Sequence, residues 1–154
     1  MKHLFLAACF IVSAMTAVAQ PFFVELRPLE GYFVDPKYPL KKGPNCFVIT
    51  NTRQFEKMFG RIDKPDAPDF ELERVVVMAY PPTVHPTSLA MHPKVAKAGN
   101  YMEIYVDASE DKKNKLPYTA YPVVVAAVPI YFAVSKFNFY NEKTKKLIAS
   151  VPVR

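Results

Sequence analysis

Cysteine is scarce in this chain, and its scarcity excludes a disulfide-held fold. The only cysteines are Cys9 and Cys46. Cys9 lies in an N-terminal segment that we expect to be removed, so no intramolecular disulfide can form. We therefore expect side-chain packing to hold the fold, with Cys46 as a small hydrophobic residue of a buried strand.

Glycine is equally sparse, and this argues against several kinds of catalytic site. The four glycines never cluster, so the sequence has neither a phosphate-binding loop nor the glycine-serine turn of a hydrolase. Asp107, Ser109 and Asp111 begin like a calcium loop, but Lys112 and Tyr118 occupy the positions that need glycine and glutamate. We expect no metal and no cofactor.

One long apolar run is present, at the N-terminus. Lys2 and His3 precede the run Leu4 to Val18, and Ala17-Val18-Ala19 has the small-x-small form of a cleavage site, which together are typical of a secretory signal peptide. Fifteen residues are too few for the roughly 20 that span a bilayer. We expect residues 1–19 to be cleaved and the protein to be periplasmic or extracellular.

A second interpretation of the leader comes from Leu6-Ala7-Ala8-Cys9, which has the form of a bacterial lipoprotein cleavage site. Cleavage before Cys9 would leave an apolar core of about five residues, shorter than a signal peptide needs. We therefore expect a free protein rather than one anchored through lipid at Cys9.

The remainder, residues 20–154, has the usual size of a single domain. Lys2 is the one basic residue lost with the leader and no acidic residue is lost, so the net charge falls from +6 to +5. The lysines lie in scattered groups beside turns, which indicates solvated loops and no nucleic-acid surface.

Composition and pattern predict a mainly β domain with one helix. Fifteen prolines interrupt the chain, and few windows show helical periodicity. The exception is residues 52–59, where Asn51 can cap the helix, Gln54 completes a capping box and Gly60 can end the helix in a left-handed conformation.

Apolar runs and alternation predict about seven strands. Four successive apolar residues follow Arg74 in the run 74–80, and the run 123–128 is continuously apolar. Both patterns indicate strands covered on both faces at the centre of a sheet. Gly99-Asn100 is a hairpin signal before a half-buried strand, residues 101–107. Pro93 indicates an edge strand or bulge within residues 87–98, and residues 145–153 form a hairpin strand with Leu147, Ala149, Val151 and Val153 on one face. The prediction is an antiparallel β-sandwich or a half-open barrel.

Two sets of side chains are candidates for function. Tyr101 and Tyr105 lie on the outward face of their strand, and Tyr118 and Tyr121 precede Pro122 in a loop, so an exposed aromatic patch is a candidate binding surface. His85 and His92, the two histidines outside the leader, match no common zinc spacing, and we expect both in surface loops.

Residues 47–128 resemble a known family. The order of Asp69-Phe70, the strand 74–79, the pair Thr87-Ser88 and the strand after Tyr121-Pro122 is similar to the C-terminal domain of the bacterial protease complex subunit PrcB. Leu89-Ala90 stands where members commonly carry a glycine. The resemblance implies a small exported β-rich domain that accompanies another protein without catalysis, and it assigns no site residue.

Three functional hypotheses follow. The first is a non-catalytic binding or accessory protein, a subunit or inhibitor-like partner of an envelope or secreted protein, with a strand edge near Pro93 open to β-augmentation. The second is a small extracytoplasmic hydrolase or metal-dependent enzyme that uses His85 or His92 with acidic residues. The third is a structural envelope protein. An uncovered edge favours the first, and a pocket that joins a histidine to a carboxylate favours the second.

Overall fold

A computed structural model describes residues 22–154, so the predicted leader and the Cys9 alternative lie outside the described residues. Ten strands and one helix follow in the described chain: β1 Phe22–Glu25, β2 Arg27–Pro28, β3 Asn45–Ile49, α1 Thr52–Phe59, β4 Glu73–Ala79, β5 Thr87–Met91, β6 Lys94–Ala98, β7 Tyr101–Glu110, β8 Val123–Pro129, β9 Lys136–Asn141 and β10 Leu147–Pro152.

The strands form two sheets that pack face to face. The six-stranded sheet has the order β1-β6-β7-β9-β10, with β5 also paired to β7, and the four-stranded sheet has the order β2-β8-β4-β3. No closed barrel forms in this part of the chain, so the β-sandwich prediction is confirmed. All pairs are antiparallel except β7 and β9, which run parallel because β8, between them in sequence, crosses to the other sheet.

The four-stranded sheet is covered on both faces, as its continuous apolar strands predict. Val76 and Met78 of β4 face the six-stranded sheet and meet Ile104 and Phe139 there. The alternate residues Val75 and Val77 face the opposite way and pack against the helix and the segment 29–40. Three layers therefore share two apolar cores, and β4 and β8 pair with each other in the middle layer.

The helix has the predicted bounds and the predicted capping residues. Asn51 accepts a hydrogen bond from the N–H of Gln54 at 2.9 Å, and the side chain of Gln54 accepts from the N–H of Thr50 rather than from that of the cap residue. Gly60 ends the helix at φ 78° and ψ 175°. Its φ is positive as expected, but its ψ is extended, so the prediction of a left-handed helical conformation at Gly60 was wrong.

Pro93 divides the predicted strand 87–98 into two strands. β5 pairs antiparallel with residues 106–110 of β7, and β6 pairs antiparallel with residues 101–103 of the same strand. The predicted strand 101–107 is too short at its end, because β7 continues to Glu110. The Gly99-Asn100 hairpin is confirmed, with Gly99 at φ 58°.

A β-bulge corrects the predicted face of the last strand. The register of β10 on β9 shifts between Leu147 and Ala149, so Ile148 takes the core position and Leu147 turns outward, 55% exposed. Val151 and Val153 pack against the core as predicted. An alternation rule has no means of detecting the inserted residue, because one extra residue reverses every side chain before it.

Candidate binding cleft

The edge of β5 that faces away from β7 has no strand partner within residues 22–154. The N–H of Asp111 donates to the carbonyl of Pro86 at 2.9 Å, and the N–H of His92 donates to the carbonyl of Tyr105 at 2.8 Å. These two bonds determine which residues of β5 direct their backbone groups to β7. In an antiparallel pair, alternate residues direct both backbone groups to the partner. Ser88 and Ala90 therefore bond to β7, whereas the N–H and C=O of Leu89 point to the open side.

Strand β8 has a matching open edge on the other sheet. Its far side pairs with β2 only at Ala126 and Ala127, and the last bond on that side runs from the N–H of Leu29 to Val125 at 3.0 Å. The N–H of Tyr80 donates to Pro122 on the β4 side at 2.9 Å. By the same alternation, the backbone groups of Val123 face away from β4.

A cleft of about 780 Å³ separates these two edges. It is lined by residues 28–33, by Thr87, Ser88 and Leu89 of β5, and by residues 118–125. The N-terminal strands explain why it is open. The N–H of Leu26 donates to Pro93 at 2.8 Å, so β1 and β2 close this side of the sandwich as far as Pro93. Beyond that point the chain turns away to cover the four-stranded sheet, and no described strand takes its place.

The predicted tyrosine patch is divided between two places. Tyr118 and Tyr121 line the cleft, with 62% and 40% of their surface exposed. Tyr101 and Tyr105 lie on the outer face of the six-stranded sheet, opposite to the core residues of β7. The two pairs therefore do not form one surface.

The outer-face tyrosines already have partners for their rings. Tyr105 stacks on Tyr140 at 5.4 Å, and the amine of Lys145 lies 4.7 Å from the centre of the Tyr105 ring. The hydroxyl of Tyr105 donates to Glu103 at 3.1 Å, and burial is the main cause that raises its pKa. Because these rings already have partners within the protein, the cleft is the better candidate for a binding site.

His85 lines a separate cleft of about 480 Å³, together with Glu110, Lys42 and Lys112. The Nδ1 atom of His85 lies 2.9 Å from the carbonyl oxygen of Asn114. Since a carbonyl only accepts, Nδ1 carries the proton and Nε2 is the nitrogen left for other contacts. A histidine and a carboxylate thus line one cleft, as the enzyme hypothesis requires.

The threonine hydroxyls beside His85 form hydrogen bonds to the backbone of the local turn. Thr83 accepts from the N–H of His85 at 3.1 Å, and Thr87 donates to the His85 carbonyl at 3.1 Å. Glu110 lies 3.7 Å from the amine of Lys112. These contacts provide no nucleophile held by a base, which covalent hydrolysis would need.

His92 lies apart from His85, at the other end of β5, where its Nδ1 contacts the backbone of Lys94. Among residues 22–154, no group of three or more histidine, cysteine, aspartate or glutamate side chains is placed to hold a metal ion. Asp107 and Ser109 lie on β7, and Asp111 accepts from the N–H of Lys113 in the following turn.

Cys46 and Asp69 have structural roles. Burial raises the pKa of the Cys46 thiol to about 12, so the reactive thiolate is strongly disfavoured. Asp69 accepts from the N–H of Glu71 at 2.9 Å, a contact that is typical of a turn residue.

No helix in the described residues is both long and apolar enough to cross a bilayer. Comparison with family models, curated proteins and solved structures gives no match for this chain. The resemblance to the PrcB C-terminal domain therefore stays a prediction.

Proposed function

We propose that this protein is an exported, non-catalytic binding protein that takes up an extended segment of another extracytoplasmic protein. The observation that carries the proposal is the open edge of β5, which forms one wall of the 780 Å³ cleft. An accessory subunit or an inhibitor-like partner would use such a cleft to hold a chain without cleaving it.

The cleft offers both components of strand recognition. The backbone groups of Leu89 and Val123 supply hydrogen bonds that any sequence can satisfy, and the side chains of Leu29, Tyr118 and Tyr121 supply apolar contacts that select among sequences. A bound segment would extend the six-stranded sheet beside β1, on the side of the sandwich where β1 and β2 end.

The layout of the N-terminal segment supports the extracytoplasmic location. The cationic start, the apolar run to Val18 and the small residues before Gln20 favour export. The resemblance to the PrcB domain supports the same class of role, because it implies a domain that accompanies another exported protein.

The test is selection of peptides from a random display library on the full chain, followed by affinity measurement with two matched pairs of variants. Leu89→Pro and Val123→Pro each remove an outward N–H, whereas Leu89→Ala and Val123→Ala keep it. We expect each proline variant to bind a selected peptide about 5- to 150-fold more weakly than its alanine control, since one buried hydrogen bond and its desolvation are worth about 1–3 kcal/mol. Thermal melts establish that each variant is folded.

Two results would overturn the proposal. One is failure to select any peptide, which would favour a structural envelope protein. The other is cleavage of the selected peptides that is lost in His85→Ala, which would favour the hydrolase hypothesis.

A further inference from the structure

The end of the sandwich opposite to the cleft carries exposed aromatic side chains. Phe132, in the loop between β8 and β9, is 99% exposed. Its neighbour Tyr131 packs edge-on against Phe22, with ring centres 5.7 Å apart, and Phe22 itself is 46% exposed. Exposed apolar groups that cluster in this way mark interaction sites on monomeric proteins.

Strand directions place these residues at one end. β1 and β9 begin there and β8 ends there, whereas the cleft lies where β8 begins. The N-terminal segment, with its apolar run Leu4 to Val18, joins the fold at Phe22, which belongs to this same end.

Cationic side chains accompany the aromatic rings. The amine of Lys97 lies 5.2 Å from the ring centre of Phe22 and 6.0 Å from that of Tyr131. Arg74 lines a hollow of about 130 Å³ together with Phe132. The nearest carboxylate on this strand, Glu73, is paired with Arg27 at 2.6 Å, so it does not neutralise Arg74.

We propose that this end is a membrane-contact surface: Phe132, Tyr131 and Phe22 enter the interface of a lipid bilayer, and Lys97 and Arg74 contact its anionic headgroups. Aromatic rings favour the boundary between headgroups and acyl chains, and long cationic side chains reach the headgroups from an apolar surface. The side chain of Phe132 is 99% exposed, which suits a fluid lipid interface better than a protein partner that must supply a complementary pocket.

The proposal places the cleft on the side of the molecule that faces away from the membrane. A protein held at a lipid surface by Phe132 would present β5 to partners in solution. This inference stands on different residues from the proposed function, so either can fail without the other.

The sequence provides a direct probe, because it contains no tryptophan. Phe132→Trp introduces a single fluorophore at the loop, and Leu147→Trp introduces one at an exposed position of β10, at the cleft end. Both variants are purified in the exported form, with the N-terminus established by mass spectrometry. They are mixed with vesicles of phosphatidylethanolamine and phosphatidylglycerol, and with vesicles that contain brominated acyl chains.

We expect the emission of Phe132→Trp to shift to the blue and to be quenched by brominated lipid, while that of Leu147→Trp stays unchanged. We expect Phe132→Ser to lower the affinity for vesicles, measured by co-sedimentation, by roughly tenfold or more, since it removes a large apolar side chain from the interface. Lys97→Glu is expected to weaken binding to phosphatidylglycerol vesicles and to leave any binding to neutral vesicles unchanged.

Identical emission of Phe132→Trp with and without vesicles would overturn the proposal. A blue shift that depends on protein concentration without lipid would also overturn it, because it would show that this end joins copies of the chain.

Discussion

Arg27 and Glu73 form a two-pronged ion pair that joins β2 to β4 across β8. The guanidinium donates from Nε at 3.0 Å and from Nη2 at 2.6 Å to the two carboxylate oxygens, and a third bond reaches the carbonyl of Asp66 at 3.0 Å. Glu73 also accepts from the N–H of Asp69 at 3.2 Å. The ion pair thus holds the short strand β2 in place, directly before the residues that line the cleft.

This pair predicts a specific acid sensitivity. The hydrogen bond from Arg27 is the main cause that lowers the pKa of Glu73. A carboxyl group with a lowered pKa stabilises the fold above its unfolded pKa, and this contribution is lost as the pH falls through the lowered value. We expect Glu73→Gln to reduce the free energy of unfolding by about 1 kcal/mol or less at pH 7, because Arg27 is partly exposed, and to have little effect at pH 2. Urea denaturation at both pH values tests this, and an equal loss at both would contradict it.

The bulge in β10 predicts opposite outcomes for two adjacent residues. Ile148→Lys places a charge against the core and should cost about 2 kcal/mol or more. Leu147→Lys replaces an exposed side chain and should change stability by less than about 0.5 kcal/mol. Urea denaturation compares the two. Equal costs would mean that the register shift is wrong.

Asn45 is a buried polar residue that holds the loop before β3. Its amide nitrogen donates to the carbonyls of Lys41 and Gly43 at 2.8 and 2.9 Å, and its oxygen accepts from the N–H of Lys41 at 2.9 Å. Asn45→Asp keeps the shape but loses the donor, so we expect it to cost about 2–3 kcal/mol. Asn138 is the other asparagine that is buried among residues 22–154, and its side-chain oxygen accepts from the hydroxyl of Ser150. An aspartate can still accept this bond, so Asn138→Asp is the milder comparison. A larger loss at Asn138 would contradict this account of Asn45.

The Cys46 thiol is expected to be inert in the folded protein. With its pKa raised to about 12 by burial, almost no thiolate exists at pH 8. We expect iodoacetamide at pH 8 to modify Cys46 only after unfolding in urea, as located by peptide mass spectrometry. Rapid modification of the native protein would show that the thiol is reachable and ionised.

Local signals in the sequence were enough to predict the layers and the helix. The apolar runs of β4 and β8 need cover on two faces, and Asn51 and Gly60 mark the helix ends because capping depends on neighbouring residues. Pro93 correctly indicated an interruption, since it removes a ladder donor.

Local signals of this kind could not predict the cleft. It depends on where the chain after Leu29 leaves the side of the sandwich and on which strand β5 joins, and both are set by contacts between residues far apart in sequence. Likewise, alternation placed Tyr105 on an exposed face but gave no information about the Tyr140 ring that stacks against it, because that contact crosses a parallel strand pair.

Amide hydrogen exchange along β5 in the free protein tests the central claim most directly. The open edge predicts that Ser88 and Ala90, which bond to β7, exchange slowly, whereas the outward amides of Leu89 and Met91 exchange rapidly. Equal protection of Leu89 and Ala90 would mean that the edge is already covered, and a partner segment would then have no strand to join.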